Sequence, residues 1–299
     1  MPYDLIALGE TMVALSPRAG ESLRDAATLH VDHAGAESNT CVGLARLGFR
    51  VAWVSRLGAD AAGDRILDAL AAEGVDTRWV LRDRHRPTGL MLKDPGTGVR
   101  YYRTGSAASQ LNPGDLEEVP VGAARAVLVT GVTALIGPQP HAAGLTLLSA
   151  ATGLRIVDPN LRAGLWGSDR RAELVWPFLE RCDLLLAGDA ELGELLGTGH
   201  TADAEASARR AAARGPREIV VRGAETIGAL AADGSWRSLE IRRHPAVDSI
   251  GAGDAFNAGY TAVRLRGGTL DEALRAGIHC GAAVTTAMSD TSAFPRTLA

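Results

Sequence analysis

The chain has 299 residues, 46% of them apolar and 22% charged, a globular balance that excludes wholesale disorder and supplies one large α/β domain or two small ones. Its net charge of −4 offers no overall basic field to nucleic acid or an anionic membrane, so an anion site has to be a local gathering of donors. Lysine occurs only at Lys93, which removes a Walker G-x-x-x-x-G-K-[ST] loop and a protein-kinase β3 lysine from consideration.

Short apolar runs alternate with longer Ala-rich stretches. Residues 5–9 predict a buried strand, 38–48 a helix stopped by Gly48, 51–55 a strand, and 61–73 a helix ended by Gly74. Further on, 127–130 predicts a strand, 141–152 a helix, 156–158 a strand and 171–179 a helix. Strands at 184–187, 219–221 and 227–230 follow, with an Ala/Arg-rich helix at 202–214, and helices at 255–266 and 270–287 close the chain. This alternation argues for a doubly wound, largely parallel sheet. Two stretches break it, 11–34 and 86–110, which read as strands with no helix between them. Paired, they would form one small sheet over the main domain; apart, they would be two surface hairpins, and periodicity leaves both open.

Cys41, Cys182 and Cys280 are widely spaced, with no C-x-x-C pair, which fits a reducing cytoplasm. The first residues show no signal-peptide pattern, and no apolar run approaches the roughly 18 residues of a membrane span. The seven histidines lack metal-site spacing, and neither G-x-S-x-G nor G-x-G-x-x-G occurs.

From Asp248 to Gly259 the sequence reads Asp-Ser-Ile-Gly-Ala-Gly-Asp-Ala-Phe-Asn-Ala-Gly. Gly251, Ala252 and Gly253 form a small-residue turn running into a helical pattern. Such a turn lets backbone N–H groups converge, and the helix dipole adds to them, making an anion hole. Asp254 then has two readings. It is a helix N-cap, or it is a base that takes a proton from an attacking hydroxyl while the hole holds a phosphoryl group. A cap does not need three small residues in front of it. A second segment, Ala34-Gly35-Ala36-Glu37-Ser38-Asn39, opens the first helix. Gly35 lets a ligand approach the backbone, and Asn39 offers a polyol both a donor and an acceptor. The plain alternative is a Ser38 or Asn39 cap.

Together these segments resemble the paired signatures of the PfkB, or ribokinase-like, carbohydrate kinases, at opposite ends of the chain and with the family's spacing. The resemblance implies one kinase domain over 1–299: a ribokinase-like α/β core with a doubly wound, mainly parallel sheet, and a small β lid from about 11–34 and 86–110. It implies ATP as phosphoryl donor, Mg2+, an aspartate base at Asp254, and stabilising N–H groups at Gly251, Ala252 and Gly253. Gly35 and Asn39 would face the sugar. A monovalent cation is left open, a homo-oligomer in the cytoplasm is expected, and no nucleic-acid or membrane partner is.

Tyr101-Tyr102-Arg103-Thr104-Gly105-Ser106-Ala107-Ala108-Ser109 is similar to the Y-Y-R-x-G-S-A-A-S string of the 2-keto-3-deoxygluconate kinase branch. So are Leu8-Gly9-Glu10-Thr11-Met12 and Asp158-Pro159-Asn160-Leu161-Arg162, the latter followed by Leu165-Trp166. In a strand Tyr101 and Arg103 share a face. An arginine on the ligand side of a lid suits a carboxylate, which it can bind with two parallel hydrogen bonds, and Arg162 follows a predicted strand end, where ligands gather in open α/β sheets. Both point to a sugar acid, and phosphorylation of 2-keto-3-deoxygluconate at its terminal hydroxyl is the expected reaction. A solvated Arg103 and an Arg162 paired with a nearby acid are the plain alternatives.

By the same resemblance, Asn160 and Arg162 lie near the nucleotide phosphates. Arg222, Gly223 and Gly228 stand for the K-x-G-x-x-G nucleotide loop, Asp290 contacts substrate, and Glu191 acts on Mg2+ through water. Gly188 departs from the asparagine of the N-x-x-E motif, and Met91 from a tyrosine found in some relatives. Two rivals remain. A kinase for a neutral sugar or nucleoside, of fructokinase or ribokinase type, is disfavoured by Arg103 and Arg162. A non-catalytic sugar-binding relative is disfavoured by the intact 251–254 segment.

Overall fold

Leu5, Ile6, Ala7 and Leu8 are all fully buried, because the strand they form is covered on both faces. The molecule around them, a computed structural model, describes residues 2–298 except 19, 95–97, 163–164, 166–169, 200–202, 242–245, 247–248 and 288. Asp248 and Trp166 of the sequence motifs therefore lie outside the described residues.

In chain order the elements are β1 (Leu5–Leu8), β2 (Met12–Ser16), β3 (His30–Ala34), α1 (Ala36–Arg46), β4 (Val51–Gly58), α2 (Ala61–Ala72), β5 (Val80–Asp83), β6 (Leu90–Asp94) and β7 (Gly98–Tyr102). Then come β8 (Ala126–Thr130), α3 (Gly131–Leu135), α4 (Pro138–Ala150), β9 (Leu154–Asp158), α5 (Arg171–Leu179), β10 (Leu184–Gly188), α6 (Asp189–Leu195) and α7 (Ala204–Ala212). The chain finishes with β11 (Glu218–Arg222), β12 (Thr226–Leu230), β13 (Trp236–Glu240), α8 (Ala252–Leu265) and α9 (Leu270–Val284).

Among the described residues, nine strands form one sheet in the order β13-β12-β11-β10-β9-β8-β1-β4-β5. All its pairings are parallel except β11–β12 and β12–β13. Alternate strand residues feed two cores. Ile6, Leu8, Val127, Val129, Val157 and Leu185 face the layer of α3 to α7. Leu5, Ala7, Leu128, Ile156, Leu184 and Leu186 face α1, α2, α8 and α9. Helix ends follow local chemistry. Asp60 caps α2 through Gly63 N at 2.8 Å, Thr269 and Glu272 form a capping box on α9, and Gly48 and Gly74 stop the first two helices at φ of 87° and 81°.

Strands β2 and β3 join β6 and β7 in a separate four-stranded sheet, ordered β3-β2-β6-β7, so the two strand-rich stretches meet and form the lid. One face of it carries Met12, Ala14, Ala34 and Met91, with Val99 and Tyr101 packed against them. The chain leaves β1 towards β4 on one side and runs from β8 to β9 on the other. The β1–β8 seam is therefore the topological switch point, where ligands collect beyond strand C-terminal ends. Among the described residues, no helix is long and apolar enough to cross a membrane.

Sequence periodicity misses β5, β13 and the short helices α3 and α6. Each is brief or half-exposed, so its pattern is weak without the neighbours that complete it.

Candidate active site

One pocket of about 310 Å³ lies at the switch point under the lid sheet. Its floor comes from strand ends and helix starts, and its roof from Met12, Met91, Tyr101 and Arg103. Gly35, Asn39, Tyr101, Arg103, Asn160, Arg162, Glu191, Arg222, Gly251, Gly253, Asp254 and Asp290, all singled out in the sequence, line this pocket together.

Helix α8 is capped by Gly251 at φ 85°, a left-handed conformation that suits glycine, and a Cβ there would lie 2.8 Å from the Asp290 carbonyl oxygen. Asp254 is therefore three residues inside the helix and is not its N-cap. Its carboxylate Oδ2 instead accepts from Asn39 Nδ2 at 2.8 Å. Burial pushes the Asp254 carboxyl up to about 8; Asp158 and Asp290 add to the rise, while the Asn39 hydrogen bond and the Arg162 charge oppose it. Ala252 departs from expectation. Its N–H turns back to the Ser249 carbonyl at 3.3 Å and the residue does not line the pocket, so Gly251 and Gly253 carry the turn's exposed backbone.

Helix α1 is capped by Gly35, so the Ser38 and Asn39 cap reading falls as well. A Cβ on Gly35 would meet the Glu10 carbonyl oxygen at 2.5 Å, which is why glycine stands there. Glu37, in the same turn, is fully buried. Its Oε1 accepts from Thr130 N, Thr130 Oγ1 and Thr133 Oγ1 at 3.1, 2.7 and 2.9 Å, welding α1 to the β8–α3 junction, and burial raises its pKa.

Arg103 is nearly buried, with its guanidinium 4.9 Å over the Tyr101 ring. Its Nε lies 2.8 Å from Glu10 Oε2, yet the N–H does not aim at that oxygen, and neither atom has a hydrogen-bond partner among the described residues. Glu10 Oε1 meanwhile accepts from Ser106 Oγ at 2.7 Å. The expected free fork is thus partly occupied by an ion pair, and Nη1 is left buried and unpartnered. Nine buried side-chain N or O atoms lack a partner among the described residues, and five of them are here: Glu10 Oε2, Asn39 Oδ1, Arg103 Nε and Nη1, and Asn160 Oδ1. Such concentration marks a place where a polar ligand completes the bonding. Asn160 also holds φ at 38°, the only left-handed non-glycine among the described residues, with its N–H donated to Asp158 at 3.0 Å.

Two expectations from the nucleotide side need correcting. The Arg222 guanidinium is committed inward, to Asp158 at 3.1 Å, Asn257 Oδ1 at 2.7 Å, and the carbonyls of Leu186 and Gly253 at 3.1 and 3.2 Å. It braces the β9, β10 and β11 ends against α8 instead of offering free donors. Gly228 lies inside β12, where the Trp236 ring would sit 2.0 Å from any Cβ, and is no loop residue; Gly223 closes the β11–β12 turn onto Thr226 and keeps its place in the loop. Both carboxylate oxygens of Glu191 accept backbone N–H groups, from Leu161 at 3.0 Å and Gly188 at 2.9 Å. Burial, with Asp158 nearby, raises the Glu191 pKa. A Cβ in place of Gly188 would lie 3.0 Å from Glu191 Oε2, a gap that the flexible end of the glutamate side chain can open.

Sequence reasoning missed Glu10 as the partner of Arg103, and Asn257 and Asp158 as partners of Arg222. It also missed Lys93, whose ammonium pairs with Asp290. Being the chain's single lysine was the one signal that could have drawn attention to it.

A sugar-sized, carboxylate-rich pocket beneath a β lid, with a glycine turn at a helix N-terminus, is the layout of a small-molecule kinase. The chain belongs to the pfkB family of carbohydrate kinases, whose family model matches residues 3–297. It is 32% identical to the 2-dehydro-3-deoxygluconokinase of Bacillus subtilis (strain 168), over 99% of this chain and 93% of that protein. It is 34% identical to the PfkB protein of Polaromonas sp. JS666, whose crystal structure superposes with a TM-score of 0.84 over 96% of this chain and 97% of the other. Fructokinase from Xylella fastidiosa, crystallised with bound ATP, shares the ribokinase-like fold at 22% identity, with a TM-score of 0.86 over 98% and 95% of the two chains.

Proposed function

We propose that the protein is an ATP-dependent kinase that phosphorylates the terminal hydroxyl of a 2-keto-3-deoxy sugar acid, 2-keto-3-deoxygluconate first among them. The observation that carries this reading is Arg103, a buried guanidinium with an unpartnered Nη1 in the same pocket as Asp254. A neutral sugar hydroxyl would accept only an ordinary hydrogen bond from that donor, whereas a carboxylate accepts a charge-assisted one and adds a charge of the matching sign. The B. subtilis relative, named for such an acid, supports the same class.

The reaction follows from the placement of the groups. Arg103, with Tyr101 beside it and Arg162 across the pocket, holds the carboxylate end. Asn39 and Asp290 hold the far end, and Asp254 takes the proton from the terminal hydroxyl as its oxygen attacks the γ-phosphorus of ATP. The new P–O bond forms as the bond to the β-phosphate oxygen breaks, so ADP leaves with that electron pair. The Gly251 and Gly253 N–H groups at the start of α8 face the charge that develops on the transferring phosphoryl group. Once ionised, a carboxyl with its pKa near 8 is a stronger proton acceptor than an ordinary carboxylate, and kcat should rise with pH as that ionised fraction grows. Each Glu191 oxygen accepts one backbone N–H and keeps a second lone pair that can accept from a water on Mg2+, so the carboxylate would act through water and not as a direct ligand. Mg2+ would then be held largely by the nucleotide phosphates and water, as is usual for this ion, and no step here runs through Glu191.

Coupled measurement of ADP release over a panel of 2-keto-3-deoxy acids of both epimers, aldonic acids, fructose, ribose and nucleosides tests the reading. The acids should dominate kcat/KM. Efficient turnover of fructose or ribose, with the keto-deoxy acids ignored, would replace it with the neutral-sugar alternative.

A further inference from the structure

Lys93 sits on lid strand β6, and its side chain is 9% exposed. A buried ammonium is retained only where a partner offsets the loss of hydration. That partner is Asp290 Oδ1, on the loop after α9 and 197 residues away. Asp290 is itself 4% exposed, and its other oxygen, Oδ2, accepts from Asn39 Nδ2 at 3.4 Å. The same Nδ2 donates to Asp254 Oδ2 at 2.8 Å. A continuous polar chain thus runs from the lid ammonium through a C-terminal carboxylate and an α1 amide to the α8 carboxylate.

The amide is the sensitive link. An Asn nitrogen has two hydrogens to give, and here each faces one carboxylate, so the two acids together fix which way the side chain points. With both bonds made, Oδ1 is turned to the pocket, where it has no protein partner. If Asp290 moves away, one anchor is lost, and a flipped amide would aim its oxygen at the Asp254 carboxylate. Asp290 also backs the anion-hole turn, since its main chain leaves no room for a Cβ on Gly251.

We propose that Lys93 is a positioning residue for phosphoryl transfer: by docking lid strand β6 onto Asp290 it orients the Asn39 amide and, through it, the Asp254 carboxylate. The acceptor end of the pocket is then assembled only while the lid is down. This rests on the reading of Asp254 as the base. The groups that face Asp254 are Asp158 from β9, Arg162 from the loop after it, Arg222 from β11, Asp290 from the C-terminal loop and the neutral Asn39 from α1. Of these, Asp290 is the one whose charge the lid neutralises.

Lys93 is the chain's only lysine, so an amine-selective acylating reagent marks the lid contact at a single side chain, told from the α-amino group by peptide mass. Acylation of the native protein should be slow, and slower still with a keto-deoxy acid and a non-hydrolysable ATP analogue present. Lys93→Met should lower kcat by about 10- to 100-fold with KM for ATP unchanged. It should also move the acidic limb of kcat up by about one pH unit, because the two carboxylates then ionise against each other unshielded. Lys93→Arg should recover most of both effects. The double variant Lys93→Met with Asp290→Asn removes both charges and should recover thermal stability without recovering kcat. A folded Lys93→Met enzyme with wild-type kcat and pH profile overturns the proposal. So does full activity in the double variant, or acylation that is fast and indifferent to ligands. Failure of the base reading shows separately, as undiminished turnover in Asp254→Asn, and the acylation result does not depend on it.

Discussion

Asp254→Asn should make the protein more stable as it makes it inactive, and the size of the gain follows from the pocket. The Asp254 carboxyl, ordinarily near 3.8, is pushed to about 8 by burial, with Asp158 and Asp290 adding to the shift. A folded-state pKa above the unfolded one means that the folded protein keeps its proton while the unfolded chain releases it. The stability this contributes is complete below about pH 4 and is lost as pH rises to 8, at about 1.4 kcal/mol per pH unit. The full span, roughly 6 kcal/mol, is an upper bound, because water entering the pocket eases the buried charge. The amide of Asp254→Asn can still present an oxygen to Asn39 Nδ2, so the 2.8 Å bond survives while the titration disappears. Urea denaturation of both proteins at several pH values between about 4 and 9 measures this, alongside turnover at each pH. The variant should match the wild type near pH 4 and exceed it increasingly towards pH 8, with turnover down by roughly 10²- to 10⁴-fold. Parallel pH profiles of stability would refute the burial argument, and near-normal turnover would refute the base.

The carboxylate contact is tested by Arg103→Leu combined with Glu10→Gln, so that no buried charge is left behind. KM for the keto-deoxy acid should rise by roughly one to two decades with KM for ATP unchanged, and equal effects on both constants would count against a substrate contact. Glu191→Gln should lower the melting temperature, since one backbone N–H loses its acceptor, and should raise the Mg2+ concentration for half-maximal rate if the carboxylate acts on the ion through water; an unchanged concentration would count against that role. Amide exchange in β6 and β7 should slow when substrate binds if the lid closes on it, and ligand-independent protection there would argue for a static roof.

Much of the framework was legible in the chain. Runs such as Leu5–Leu8 carry apolar side chains on both faces, which only a sheet covered on both sides accommodates, and glycines stop helices wherever a left-handed residue is needed. The small-residue turn at 251–253 likewise announces backbone approach, because side chains there would fill the space a ligand needs. These are local properties, set by steric freedom and by a periodicity of two or 3.6 residues.

What the tertiary structure alone decided is pairing. Asn39 reaches Asp254 across 215 residues, and Lys93 reaches Asp290 across 197. No spacing rule connects such residues; they meet because β1 and β8 set the switch point and the lid folds back over it. For the same reason Arg222 looked like part of a nucleotide loop and proves to be a brace, since burial beside Asp158 and Asn257 uses its donors inward. Gly228 looked like a loop glycine and proves to be the space for the Trp236 ring. A side chain's type fixes what it can bond, but only the fold determines which partner reaches it first, because hydrogen bonds and ion pairs act over a few ångströms while the chain that brings them together runs for hundreds of residues.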